Sequence, residues 1–459
     1  MARTSGLDLT EGKLSRQILH FSIPLMFSNL LQVLFSMTDL AVVGRFASAG
    51  ALGSVGSTTI LVFLFTGFLI GLGSGVNVLV ATHYGAHSEK NVRESVHTSA
   101  VVCLLAGVLI LLAGQVFSRP LLELLNTRED LLDGAVLYLR IYFLGMPAMA
   151  LYNFGNAVFS AVGDTKTPLI YLAAAGALNV VLDLLFVIAC GMSTDGVALA
   201  SMLSQCVSAV LIVCALLRRR TEVYGLSLRE LRIYKNKALR VLSIGVPAGF
   251  QNAIFSVANL FIQAGVNSFS TVVVEGNSAA ANVDNLAFSV MNAFYIASSS
   301  FIGQNYGAGR PERVRRSYVL TLFYSFLTGA MVGALFLCFG REFLALFSPE
   351  SAVIDAGMER IRVMSFSFMI SAFMDCTTSA SRGLGKGMVP MILVFLGSCV
   401  FRVAWIYTVF AYFGTLRSLY MLYPFSWGIT GAAETVYFIY CYRRYVRPME
   451  HGGERTEMQ

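Results

Sequence analysis

Long apolar stretches recur along almost the whole chain and restrict its fold more than any other feature. Twelve of them are bounded by charged residues or by Gly and Pro clusters. A helix needs about 20 apolar residues to cross a bilayer, and each stretch reaches that length. They lie approximately at residues 18–43, 55–82, 95–117, 132–160, 168–190, 196–217, 240–266, 279–302, 317–340, 357–380, 388–412 and 418–442.

The composition excludes a water-soluble protein of this size. Hydrophobic residues make up 56% of the 459 residues and charged residues 13%, whereas a globular protein has about 45–50% and 25%. Too few charges remain to cover a soluble surface. The sequence therefore predicts an all-α polytopic membrane protein with twelve transmembrane helices, surrounded by membrane lipid.

The distribution of basic residues predicts the orientation. The net charge is +7, but no basic stretch is interleaved with aromatic residues, so a nucleic-acid partner is not expected. Of the 33 Lys and Arg residues, 24 fall in the two tails and in every second loop. Cytoplasmic loops carry such an excess. We therefore predict that both termini are cytoplasmic. The protein is expected in the plasma membrane, which in a bacterium is the inner membrane.

The chain repeats itself at a spacing of 222 or 223 residues. Pro24 and Asn29 match Pro247 and Asn252, and Tyr84-Gly85-Ala86 matches Tyr306-Gly307-Ala308. Six spans per half predict two six-helix bundles related by a pseudo-two-fold axis along the membrane normal, an architecture typical of alternating-access transporters. The predicted parts are an N-terminal lobe (1–217), a basic cytoplasmic linker (218–240), a C-terminal lobe (241–446) and a polar cytoplasmic tail (447–459).

Two carboxylates stand well inside predicted spans of the first half, Asp39 and Asp183. An unpaired carboxylate in hydrocarbon is strongly destabilised, so each should bind a proton, a small cation or a partner. Asn179 lies four residues before Asp183, on the same helical face, and we expect it to donate a hydrogen bond to that carboxylate. The equivalent positions of the second half hold Ile262 and Trp405. Ion coupling is therefore predicted in the first half.

Other polar residues recur at helical spacing inside the spans. They either join helices by hydrogen bonds or line a shared polar cavity, and their presence in both halves favours the cavity. We expect Asp284 and Asp375 to attract a cationic substrate there. The candidate cavity residues are Asn29, Gln32, Ser36, Asn153, Asn156, Gln251, Asn252, Asn259, Asp284, Asn292 and Asp375.

Other kinds of site are not indicated. The Gly71–Gly75 segment lacks the Lys-Ser/Thr of a phosphate loop and is expected to permit close helix packing. His83, His87 and His97 surround one loop and are expected to be solvated or to cap helices. We therefore predict a monomeric protein that is not an enzyme, with no metal and no cofactor other than a coupling ion.

Four motifs together resemble the multidrug and toxic compound extrusion (MATE) family across nearly the whole chain. They are Asp39–Arg45 in the first span, the Asn179 to Asp183 segment, Gly163–Pro168 in a loop, and Gly303–Arg310 at the end of the eighth span. The resemblance implies twelve helices in two lobes. It also implies secondary active export of amphipathic, cationic organic compounds in exchange for protons or sodium.

Residue by residue, the resemblance supports Asp39, Asp183 and Asn179 as the coupling site and adds Tyr138 and Ser201. It also implies a conformational hinge at Pro24. The sodium-coupled branch carries a Glu eight residues after the proline that matches Pro247, and here that position is Phe255. This departure favours the proton-coupled branch that resembles the DNA-damage-inducible antiporters.

A flippase for lipid-linked saccharides is the alternative with the same architecture. Such a protein should place several Arg or Lys residues in its cavity to hold a diphosphate. The sequence places only Arg402 deep inside a span. Small organic substrates are therefore favoured over lipid-linked ones.

Overall fold

A computed structural model describes residues 8–47 and 50–451, and this part of the chain is helical without strands. Helices are expected because a chain that crosses a bilayer must satisfy its backbone hydrogen bonds internally. The helices are α1 (Leu14–Phe46), α2 (Ala51–Gly85), α3 (Glu89–Leu124), α4 (Glu129–Leu144), α5 (Met146–Ala161), α6 (Lys166–Ala189), α7 (Thr194–Arg218), α8 (Lys235–Val266), α9 (Thr271–Gly307), α10 (Pro311–Ala345), α11 (Ser351–Gly383), α12 (Met388–Phe413), α13 (Leu416–Tyr420) and α14 (Leu422–Cys441).

Every predicted span coincides with one helix or with a consecutive pair, which confirms the all-α polytopic fold class. Within the described residues, nine helices are long and apolar enough to cross a membrane, and the α4–α5 pair supplies a tenth span. The spans predicted at 357–380 and 418–442 are helical as α11 and as α13 with α14. They are less apolar because they carry buried polar and charged side chains.

The span predicted at 132–160 is not one straight helix. It is bent by 46° between α4 and α5. The bend falls at Gly145, and Pro147 occupies the first turn of α5. Proline fits the first turn of a helix because the amide hydrogen it lacks would have no partner there.

The described residues form two compact units. The first consists mainly of Phe27–Ala253, and the second of Leu9–Met26 with residues 254–451. The boundaries after Met26 and after Ala253 fall inside helices, within α1 and within α8, so each of these two helices contributes residues to both units. The lobe boundaries predicted from the sequence remain a prediction.

The first unit is built around α2, α3, α5 and α7. Its core contains the buried side chains of Leu72, Phe154 and Ile212. The segment between α7 and α8 also belongs to this unit and packs onto it through the buried Tyr224. Of the two alternatives for His97, solvation is wrong, since the side chain is 2% exposed. Its Nε2 instead accepts a hydrogen bond from the Ser227 amide at 3.0 Å.

The second unit is built around α9, α10, α11 and α14. Met291, Phe336 and Phe368 lie in its core. The segment before α1 is bound to it: the Leu9 amide donates to Gln304 Oε1 at 3.2 Å, and Arg313 Nη2 donates to the Leu9 carbonyl at 3.1 Å. Gln304 of the Gly303–Arg310 motif and the neighbouring Arg313 therefore hold the segment that begins at Leu9.

Equivalent turns of the two halves have the same backbone geometry. Gly163 and Gly385 follow α5 and α11 with φ of 88° and 77°, a left-handed conformation that favours glycine. The next amides, of Asp164 and Lys386, donate back to the carbonyls of Phe159 at 2.8 Å and Ser381 at 3.1 Å. This hydrogen-bond pattern ends helices in the Schellman motif, and it supports the sequence repeat at 222 residues.

Glycines of α2 allow the first part of α8 to approach closely, as the sequence predicts. A Cβ atom on Gly71 would lie 2.2 Å from the Gly249 nitrogen, and one on Gly75 would lie 2.4 Å from the Val241 carbonyl oxygen. Both obstacles are backbone atoms. Neither contact could be relieved by a change of rotamer.

We therefore expect Gly71→Ala to destabilise the protein by about 1–3 kcal/mol, because the two helices would have to move apart. Gly56→Ala in the same helix is the matched control, since a Cβ there meets nothing within 4 Å. It should be neutral or stabilising. Thermal unfolding in detergent tests this contrast, and equal melting temperatures for the two variants would contradict it.

Candidate functional site

The predicted coupling residues lie together in the first unit, on four helices. Asp39 stands in the second part of α1, Asp183 and Asn179 in α6, Ser201 in α7 and Tyr138 in α4. Ser201 Oγ donates to Asp39 Oδ2 at 3.2 Å. The carboxyl groups of Asp39 and Asp183 are close enough to interact directly, and neither Asp183 oxygen makes a hydrogen bond to another group within the described residues.

The site is enclosed by protein. Asp183 has no exposed surface, Asn179, Tyr138 and Ser201 are buried, and Asp39 is half-buried. Within the described part of the chain, no Lys or Arg forms an ion pair with either acid. Two adjacent carboxylates without a cation cannot both be ionised. The pair must therefore hold a proton or another cation.

The hydrogen bond expected from Asn179 to Asp183 is not formed. Asn179 Nδ2 is buried and makes no hydrogen bond within the residues that the structure describes. Spacing by four residues places two side chains on one face of a helix but does not orient them. Here the Asp183 carboxyl interacts with Asp39. Asn179 lies on the same helix but makes no hydrogen bond to Asp183.

Aromatic rings on α4 line one side of the acid pair. Tyr138 and Tyr142 stack with their ring centroids 5.9 Å apart, and both lie close enough to interact electrostatically with Asp39. Tyr142 was not predicted from the sequence. It stands four residues after Tyr138, and helical spacing alone could have identified it.

The candidate cavity residues of the first unit differ in their exposure. Gln32 and Ser36 are exposed on α1, while Asn29, Asn153 and Asn156 are half-buried and Gln251 is buried. Asn252 Nδ2 donates to the Gly67 carbonyl at 2.9 Å and so joins α8 to α2. For Asn252, the alternative of a hydrogen bond between helices is the one that the structure supports.

In the second unit, Asp284 does not present a free negative charge. Arg360 Nε donates to Asp284 Oδ2 at 2.9 Å, and both side chains are buried. Arg360 Nη1 also donates to Asn277 Oδ1 at 2.7 Å. This pair was not predicted from the sequence, because Asp284 on α9 and Arg360 on α11 are 76 residues apart along the chain.

Of the remaining candidates of the second unit, Asn259 lies beside a second buried arginine. Arg402 is 1% exposed, and Asn259 beside it on α8 is exposed, as is Asn292 on α9. Asp375 is half-buried in α11. Glu434 in α14 is completely buried and was missed, although a search for acids inside the predicted spans would have found it.

Pro24 lies buried within α1 without interrupting the helix. It belongs to the second unit, two residues before the unit boundary between Met26 and Phe27. Pro247 lies within α8, six residues before the corresponding boundary at Ala253. In both helices a proline therefore stands close to the point where the chain passes from one unit to the other.

Ionisable groups inside a bundle of membrane-spanning helices are characteristic of transport proteins. Within the described residues, no group of His, Cys, Asp and Glu is arranged to hold a metal ion. The sequence profile of the MatE family matches residues 24–212 and 247–408. The chain belongs to the MatE family and is a multi-pass membrane transporter of the multidrug-efflux type.

Individual relatives agree with this assignment. The chain is 28% identical to a probable multidrug resistance protein, YpnP, of Bacillus subtilis, over 86% of this chain and 88% of the relative. It is 23% identical to an FAD transporter of Shewanella oneidensis, over 76% and 77%. A crystal structure of a MATE protein in complex with MaL6 matches the fold with a TM-score of 0.90 at 21% identity, covering 98% of this chain and 100% of that one.

Proposed function

We propose that this transporter is a proton-coupled antiporter that exports small amphipathic organic compounds. The observation that carries the proposal is the contact between Asp39 and Asp183, two acids with no basic partner in a buried site. Such a pair can hold one shared proton. It becomes strongly repulsive when that proton leaves, so its protonation state can be linked to how the surrounding helices pack.

Transport then follows from alternating access. In the outward-facing state the pair takes up a proton and substrate leaves; in the inward-facing state the pair loses the proton and substrate binds. A ligand shifts such an equilibrium only through different affinities for the two states. Ser201, which donates to Asp39, stabilises that carboxylate, and Tyr138 and Asn179 complete the wall of the site.

A proton is favoured over sodium as the coupling ion. The Glu of the sodium-coupled branch is replaced by Phe255. This supports membership of the branch that resembles the DNA-damage-inducible antiporters. We further propose that the protein acts as a monomer in a bacterial inner membrane, with cytoplasmic termini as its basic residues predict.

The names of relatives support export of small organic compounds, since one is a probable multidrug resistance protein and another an FAD transporter. Export of lipid-linked saccharides is the weaker candidate. It would need a cluster of cations for a diphosphate. Two arginines are buried in the part of the chain that the structure describes. Arg360 is already neutralised by Asp284, which leaves Arg402.

The decisive experiment is dye efflux from proteoliposomes under one imposed gradient at a time. We expect a pH gradient alone to drive transport of a fluorescent amphipathic cation, and a sodium gradient alone to drive none. Transport by sodium only would overturn the ion assignment. Transport under neither gradient, by protein that is folded and correctly inserted, would overturn antiport.

A further inference from the structure

We propose that Arg402 is an anion-binding subsite of the second unit. The ligand class we infer is an organic molecule that joins a planar aromatic ring to a carboxylate or phosphate. This inference rests on the proposed role as an exporter of small organic compounds and specifies their chemistry. It differs from the expectation from the sequence that substrates are cations attracted by acids.

The surroundings of Arg402 leave its charge without a close counterion. Nε donates to Ser426 Oγ at 3.2 Å, and Nη1 reaches Asn259 Oδ1 at 3.5 Å. Both acceptors are neutral. Nη2 is buried and has no hydrogen-bond partner within the described residues, and no carboxylate there lies within 4 Å of the guanidinium.

Arg360, in the same unit, shows what a satisfied buried arginine looks like in this fold. Its guanidinium forms an ion pair with Asp284 at 2.9 Å and donates to Asn277 and to the Tyr423 hydroxyl. A guanidinium keeps its charge at neutral pH, and burying that charge without a partner is costly. The fold meets this requirement at Arg360 and leaves it unmet at Arg402.

Aromatic rings surround the Arg402 guanidinium on several sides. The centroids of Tyr423, Trp427 and Phe255 lie 4.9, 5.7 and 5.9 Å from its central carbon. Cation–π contacts of this kind stabilise a buried cation only in part. They also provide apolar faces next to the charge, which suits a ligand with an aromatic ring and an anionic group.

Asp375 and Asn259 indicate how a ligand would enter. Asp375 interacts electrostatically with Arg402 and, more strongly, with Arg382, but it is beyond ion-pair distance from Arg402. Asn259 is exposed, and its contact with Nη1, at 3.5 Å, is at the limit for a hydrogen bond. An anion that displaces the Asn259 amide would reach Nη1 and Nη2 together, in the bidentate geometry that arginine offers to carboxylate and phosphate.

Two flavins form a matched probe pair, because riboflavin 5′-phosphate and riboflavin differ only in the phosphate. Binding to the purified protein in neutral detergent is measured by quenching of flavin fluorescence. We expect wild type to bind the phosphate form about 30-fold more tightly, the gain expected for a buried, hydrogen-bonded charge pair. Arg402→Gln should remove this preference, and Arg402→Lys should retain part of it.

The matched control is Arg362→Gln, which removes an exposed arginine of α11 and should leave the preference intact. Equal affinities of wild type for the two flavins would overturn the proposal even if Arg402→Gln failed to fold. Loss of bound phosphatidylglycerol, instead of the flavin preference, in Arg402→Gln would assign the site to a lipid headgroup and also overturn it. Flavin binding is measured without an ion gradient. A failure of the antiport proposal can therefore be distinguished from a failure of the proposed anion site.

Discussion

The Asp39→Asn protein is expected to lose efflux driven by a pH gradient, to below about one hundredth of the wild-type rate, while still binding substrate. A side-chain amide neither gains nor loses a proton near neutral pH, so the substitution would hold position 39 permanently neutral. Asp183, 0% exposed, would then face a fixed neutral partner, and the repulsion that distinguishes the two states of the pair would vanish. Dye efflux from proteoliposomes measures the loss of transport, and dye binding in detergent measures the substrate binding that is retained.

Two further variants separate coupling from general damage. Asp183→Asn should reproduce the loss, since the proton is shared by the pair. Asp133→Asn removes an exposed acid of α4 that pairs with Arg119 at the surface and should transport normally. Wild-type efflux by Asp39→Asn under a pH gradient would remove the acid pair from the mechanism.

Replacing Arg360 by Gln is expected to destabilise the protein by about 3–5 kcal/mol, the largest stability loss that we predict. The substitution leaves the buried Asp284 carboxylate without its cation and leaves Asn277 Oδ1 without one of its donors. Breaking a buried ion pair costs this much because one charge stays in an apolar interior. A fall in the melting temperature of the detergent-solubilised protein measures the effect.

A double-mutant cycle tests whether the charge pair, and not the volume of the arginine, is responsible. Adding Asp284→Asn to Arg360→Gln removes the orphaned charge, so the double variant should be more stable than Arg360→Gln alone. Arg362→Gln, an exposed arginine two residues further along α11, should change stability by less than about 0.5 kcal/mol. A double variant less stable than Arg360→Gln alone would contradict the assignment.

The helices and the two acids that we propose as the coupling pair were predictable because the membrane limits the possibilities. A segment that crosses hydrocarbon must be apolar and helical, so the spans can be read from the sequence. The same argument makes a carboxylate inside a span conspicuous, and Asp39 and Asp183 are two such residues. That they contact each other required the structure, because 144 residues separate them along the chain.

Pairings within the second unit were not predictable, because the sequence does not say which polar groups meet. Asp284 reads as a free acid until Arg360 of α11 is placed beside it. The bend between α4 and α5 was also missed, since Gly145 and Pro147 occur within a continuous apolar run. Asn179 shows the opposite failure: the spacing was right and the hydrogen bond was not formed.

The division of α1 and α8 between the two units has a consequence for how the protein is made. The segment Leu9–Met26 belongs to the second unit, yet it leaves the ribosome more than 200 residues before the helices that bind it. At about 5–20 residues per second, it waits at least about ten seconds for Gln304 and Arg313 to be synthesised. The first unit can be completed as soon as Ala253 has been synthesised, whereas the second unit must keep Leu9–Met26 available until its later helices follow. Cutting the gene at the linker would therefore yield two polypeptides that each lack part of a unit.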